Sequence, residues 1–166
     1  MSVKAIPEGY HTITPHMIIR DCSKAIEFYK NAFDAQQMGG IALAPDGKVM
    51  HATLKIGDSI VMMSDEFPQS KSVGPLSLGG TTIVLNIYTE NADKLWEKAV
   101  KAGATVTMPL GNQFWGDRYG QVADPFGHRW SIAQHVEDVR PEDMEGRMKK
   151  AMEEMKAQKQ SQGAGA

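Results

Sequence analysis

The sequence predicts an α+β fold: two copies of one strand–helix–three-strand module that together cup a small-molecule cavity, followed by a C-terminal helix. Three observations carry this. The order of apolar-periodic segments over residues 11–65 recurs over 81–137, at a spacing of roughly 68–70 residues. A Pro-, Ser- and Gly-rich stretch, 66–80, separates the copies as a linker. Within each copy the breaks between strand candidates carry the Gly, Asp or Pro that hairpin turns need. Identity between the copies is low, so the repeat is one of pattern.

The first ten residues read as a loose arm. Thr12–Ile19 reads as a strand, and Pro15, which cannot donate to a ladder, places it at an edge or a bulge. In DCSKAIEFYKNAFD, Asp21 or Ser23 can cap a helix whose apolar residues Ile26, Tyr29 and Phe33 sit at helical spacing. Gln36–Leu43, Val49–Ile56 and Ser59–Ser64 are the next strands, divided at Pro45-Asp46-Gly47 and Gly57-Asp58. In the second copy TTIVLNIYT is a strand. ENADKLWEKAVKAGA is a helix with Leu95, Ala99 and Ala102 on one face and Gly103 closing it. Thr105–Met108, Trp115–Ala123 and Arg129–Gln134 are strands, with Asp124-Pro125-Phe126-Gly127 as a structural turn. Residues 138–160 form a helix with Pro141 near its first turn. Its stripe Met144, Met148, Met152 and Met155 suits packing on the body or on a second subunit, or a flexible lid over a ligand. Residues 161–166 read as a disordered tail.

At 166 residues the chain suits one compact domain or two small halves sharing a core. A net charge of -2 without a basic face gives no support to a nucleic-acid or anionic-membrane partner. No apolar run approaches the roughly 20 residues that span a bilayer, and the N-terminal segment lacks the apolar core of a signal peptide. One cysteine, Cys22, rules out an internal disulfide framework and a Cys-rich zinc site; its place at a helix start suits packing. These features point to the cytoplasm.

In such a module the helix covers one face of its sheet, and alternation sorts the side chains. The helix-facing sets are Ile13, Met17 and Ile19; Met50, Ala52, Leu54 and Ile56; Ile83, Leu85 and Ile87; Gly120 and Val122; Trp130 and Ile132. The opposite face carries Thr14, His16, His51, Thr53, Asn86, Trp115, Tyr119, Gln121 and Ser131. A solvent face usually carries Lys and Glu. This face has Lys55, Asp117 and Arg129 as its only charges, a mixture that suits a concave site with a few polar anchors. Trp115 and Tyr119 can stack on a planar or apolar ligand. Asp117 and Arg118 read either as an acid and an anion clamp or, more plainly, as an exposed turn pair.

The segments RDCSKAIEFYKNAF, IGDSIVMMSDEFP and WGDRYGQVADPFGHRWSIAQHVEDV, set on this duplication, resemble the vicinal oxygen chelate superfamily. This is the glyoxalase I / bleomycin-resistance / extradiol-dioxygenase group, and the last segment resembles its PhnB-like branch. The resemblance covers residues 11 to about 140. It implies a cupped sheet and, in metal-dependent members, His, Glu or Gln ligands from four strands. Carried onto this chain, those positions fall on Thr14, on Met62 or Ser64, on Thr82 and on Ser131. None is a good ligand for a divalent ion, and a slip of one residue supplies no better. The resemblance therefore implies a homodimer without a metal or other cofactor. It would bind a small organic ligand among Thr14, His16, His51, Thr53, Met62, Asn86, Trp115, Tyr119, Gln121 and Ser131. The alternative is an enzyme of the same superfamily, a lyase, isomerase or transferase. It would use His16 or His51 as general base, or hold a non-standard metal site on that pair. Two histidines fall short of the three or more ligands of a stable site, so wall residues are the plainer reading.

Overall fold

The computed structural model describes residues 3–163, with side-chain environments through 157. The first module comprises β1 (His16–Ile19), α1 (Cys22–Phe33), β2 (Gln36–Gln37), β3 (Ala42–Leu43), β4 (Val49–Ile56) and β5 (Ser59–Asp65). The connecting strap holds a 3₁₀ turn (Pro68–Ser70) and a short helix, α2 (Pro75–Leu78). The second module comprises β6 (Val84–Tyr88), α3 (Ala92–Ala102), β7 (Thr105–Asn112), β8 (Asp117–Ala123) and β9 (Arg129–His135); α4 (Pro141–Gly163) follows. The sheet orders are β1-β5-β4-β2, with β3 also on β4, and β6-β9-β8-β7. In both, the first strand lies parallel to the last and the other pairs are antiparallel. The duplication is thus one of topology as well as of element order.

Several local expectations are corrected. Thr12–Pro15 lie outside β1, although the Pro15 carbonyl still accepts from Met62 N (2.9 Å). The stretch Gln36–Leu43 is two short strands on either side of a Gly39-Gly40 break, with Gly39 at φ 69°. Asp21 makes no side-chain cap on α1; Asp65 at the end of β5 does, accepting from Cys22 N at 2.8 Å. A tertiary carboxylate has displaced the local one. The strap is ordered by Glu66, which accepts from Gly74 N (2.7 Å) and from the Ser77 hydroxyl (2.5 Å) and pairs with Arg20. A Cβ at Gly74 would sit 2.5 Å from the Ile18 carbonyl oxygen, so only glycine lets the strap lie this close to β1. α4 runs three residues into the stretch expected as a tail; 164–166 lie outside the described residues.

Alternation holds for Met17, Ile19, Ala52, Leu54, Ile56, Val122, Trp130 and Ile132, all buried. It fails at Ile13 and Ile83, 86% and 65% exposed, because both precede the first paired residue of their strands. It fails again at Met50. Ala42 pairs with His51 and Leu43 with Val49, so Met50 is the extra residue of a bulge and points out. Val49 is buried instead, its N–H donated to Asp65 Oδ2 at 2.7 Å.

The core is shared between the modules. α1 packs on its own sheet and on α3, and its Tyr29 and Phe33 rings reach Trp130 of β9, with centroids 5.3 and 4.7 Å away. The Tyr29 hydroxyl donates to Asp124 Oδ2 at 2.6 Å, and Trp130 Nε1 donates to the same oxygen at 2.9 Å. The other oxygen, Oδ1, accepts from Phe126 N and His128 N, both at 2.9 Å. The Asp124-Pro125-Phe126-Gly127 turn is therefore structural, as expected, and one carboxylate ties it to its own strand and to the other module's helix. The helix-facing sides of the two sheets look onto a common helix layer.

Candidate functional site

The residues expected to line a cup form two patches. On the first sheet His16, Met62 and Thr53 are in register across β1, β5 and β4. His16 and His51 lean toward each other over β5 until their rings stand edge to face, 6.1 Å between centroids. His51 Nε2 lies 3.1 Å from Thr53 Oγ1. Burial, and secondarily the neighbouring His51, lower the pKa of His16, so its ring is neutral at neutral pH. Thr14, just ahead of β1, donates its hydroxyl to the His11 carbonyl at 3.0 Å.

On the second sheet Asn86, Ser131 and Gln121 are in register across β6, β9 and β8. The Ser131 hydroxyl donates to Asn86 Oδ1 at 2.5 Å, and Gln121 Nε2 donates to the Tyr119 hydroxyl at 2.7 Å. Trp115 stands edge-on to Tyr119, 5.5 Å between centroids.

Asp117 and Arg118 are neither an exposed turn pair nor a free acid and clamp. Asp117 is buried and accepts from the Tyr88 hydroxyl (2.8 Å) and Trp115 Nε1 (3.1 Å), with His135 Nδ1 at 2.9 Å. Burial works to raise its pKa, but the bonds from His135, Tyr88 and Trp115 together hold it below the usual carboxylate range. His135 Nε2 lies 3.0 Å from Asp138, so each ring nitrogen faces a carboxylate and both carry protons. Hydrogen bonds to Asp138 and then Asp117 raise the His135 pKa. Arg118 is held by Asp93 (2.7 Å from Nε) and Asn112. Sequence reasoning passed over Tyr88 and His135. The alternation that selected Asn86 and Ser131 would have found them, two and four residues further along the same strands.

Two clefts lie between the modules. One, about 780 Å³, runs beside the free edge of β1 under the strap; it is lined by Ile13, His16, Ile18, Leu78, Thr82, Ile83, Leu85, His128 and Arg129 among others. The second, about 630 Å³, is lined by Thr14, Asp58, Ile60, Asn86, Tyr88 and Trp130 among others. Of the expected site residues, His16 lines the first cleft and Thr14 and Asn86 the second. His51, Thr53, Met62, Trp115, Tyr119, Gln121 and Ser131 line neither. The strap was not singled out as lining, because it has no periodicity to sort its side chains; Arg129 was placed on the semi-polar face by alternation but not among the site residues.

The residues at the four ligand positions do not fit a divalent ion. The Thr14 and Ser131 hydroxyls are committed to His11 and Asn86, and Met62, Ser64 and Thr82 offer no charged or imidazole donor. Among the described residues, no group of three or more His, Cys, Asp or Glu is placed to hold a metal ion. Cys22 is buried, and burial pushes its thiol up to about 12, so it stays protonated and is no nucleophile.

Two modules of matching strand order that share one core define a duplicated βαβββ protein of the vicinal oxygen chelate type. Residues 10–132 match the Glyoxalase/Bleomycin resistance protein/Dioxygenase superfamily, and the chain belongs to that family. It is 44% identical over 139 residues to the uncharacterised protein Mb0911c of Mycobacterium bovis, covering 82% of this chain and 91% of that protein. Its fold is similar to the crystal structure of PA1353 from Pseudomonas aeruginosa: TM-score 0.61, 24% identity, 76% of this chain and 99% of that one. It is also similar to that of a PhnB protein from Bacillus cereus: TM-score 0.58, 20% identity, 75% of this chain and 99% of that one.

Proposed function

We propose that the protein binds a small organic molecule, without a metal ion, in the clefts between its modules, and that it stands with the PhnB-like members of its family. The carrying observation is the chemistry at the four ligand positions, which replaces imidazoles and carboxylates with engaged hydroxyls and a thioether. Beside them, 780 Å³ of largely apolar-walled space falls within the roughly 300–1,000 Å³ of small-molecule sites. The exposed Met152 and Met155 of α4, away from these clefts, support a homodimer. The single protonated thiol suits the cytoplasm.

Metal analysis of tag-free protein, together with light scattering, tests this. Substoichiometric divalent metal and a mass near two chains are expected. A tightly bound ion near one per chain would overturn the metal-free reading, and a monomer at every concentration would overturn the homodimer.

His16 favours a second reading, as an enzyme. It lines the larger cleft as a neutral imidazole without a carboxylate partner, which suits a general base. In that case His16→Ala would abolish turnover of an identified ligand while leaving its binding in place.

A further inference from the structure

The chain has five arginines. Arg20 pairs with Glu66, Arg118 with Asp93, Arg140 with Asp143 and Arg147 with Glu137. Arg129 makes no ion pair and no side-chain hydrogen bond among the described residues. It is also the arginine that lines the larger cleft.

The rest of that lining sharpens the contrast. No Asp or Glu contributes to it. Ile13, Ile18, Leu78, Ile83 and Leu85 are hydrocarbon. His128 lies against it too, but its Nε2 is 3.2 Å from the Ile18 carbonyl, which can only accept, so that nitrogen is spent as a donor. Arg129 therefore supplies the cleft's one fixed charge, and no carboxylate of the chain offsets it. The smaller cleft differs, being lined by Asp58. A guanidinium offers a planar fork that matches a carboxylate or sulfonate.

We infer that the larger cleft takes an apolar organic monoanion: a hydrophobic body against Ile13, Leu78, Ile83 and Leu85, with its single oxyanion group on Arg129. This rests on the reading of the clefts as small-molecule sites and names the ligand class for one of them.

The test uses two fluorescent probes with the same hydrophobic body, the anion anilinonaphthalene sulfonate and the neutral phenylnaphthylamine, titrated into the full-length protein. The sulfonate should bind at least about tenfold tighter, and Arg129→Gln should remove that advantage while leaving the neutral probe within about twofold. Arg129→Lys should restore part of it. Gly80 also lines the cleft, with open space around its Cβ position, so Gly80→Trp should block both probes. Equal affinities in the wild type, or an Arg129→Gln effect that is absent or equal for the two probes, would overturn the anion assignment and leave the cleft standing. If neither probe binds, or Gly80→Trp blocks neither, the cleft is not a ligand site, and the proposed function falls with the inference.

Discussion

Tyr29→Phe removes one hydroxyl from the joint between the modules and changes no hydrocarbon packing. That hydroxyl, fully buried, donates at 2.6 Å to Asp124, and a hydrogen bond to a charged group contributes about 1.5–3 kcal/mol. Asp124 keeps three other donors, so its carboxylate is not stranded and the expected loss lies at the low end, about 1.5–2 kcal/mol. Asp124→Asn should cost more. With its one oxygen on Phe126 N and His128 N, its NH₂ can donate to the Tyr29 hydroxyl, reversing that bond, but it faces the Trp130 indole N–H, which cannot accept; one lost bond, one donor–donor opposition and the loss of charge at the remaining bonds amount to about 3–4 kcal/mol. Urea unfolding followed by tryptophan fluorescence and by far-ultraviolet circular dichroism measures both. The two probes should shift together with unchanged slope, because α1 and β9 share one core. If Tyr29→Phe stayed within about 0.5 kcal/mol of wild type, or Asp124→Asn cost less than Tyr29→Phe, Asp124 would not be the joint.

Gly116 adopts φ 98°, and a Cβ there would overlap the Glu137 carbonyl oxygen, so Gly116→Ala should release residues 136–139 at a cost of about 1–3 kcal/mol. Faster amide exchange at Val136 and Glu137, both donors to the Gly116 carbonyl at 3.0 Å, is the readout. A Cβ at Gly120 would lie 2.7 Å from the Trp96 ring and 2.8 Å from Leu110 Cα; Gly120→Ala should cost about 1–3 kcal/mol, with part recovered by adding Trp96→Leu. The pKa of His135 is raised in the folded state, so its contribution is full below the unfolded value of about 6.5 and is lost as pH rises through the higher folded value. The destabilisation by His135→Gln should accordingly be larger near pH 5.5 than near pH 9, and an equal difference at the two pH values would refute the double pairing with Asp117 and Asp138.

Much of the fold was legible because it is written in short periods. The helices at 22–33 and 92–102 and the strand Val49–Ile56 follow from spacing alone. The inward residues of the paired strands follow from period two. Where period failed, a particular event intervened: the bulge at Met50, and the late start of pairing that left Ile13 and Ile83 outside their ladders. The Asp65 cap on α1 shows the same limit, since the carboxylate that reaches the helix lies 43 residues away.

The sequence by itself determined the duplicated module, its element order, the family, and which side chains alternate onto the face away from the helices. Alternation is a property of neighbouring residues, so it survives without knowledge of the rest of the chain. Only the tertiary structure decided how the modules meet. It brought α1 against β9 of the other module, buried Asp117 under Tyr88 and His135, and left Arg129 beside the larger cleft without an ion pair among the described residues. These outcomes depend on pairs such as Tyr29 and Asp124, 95 residues apart, and no local period encodes the distance between them.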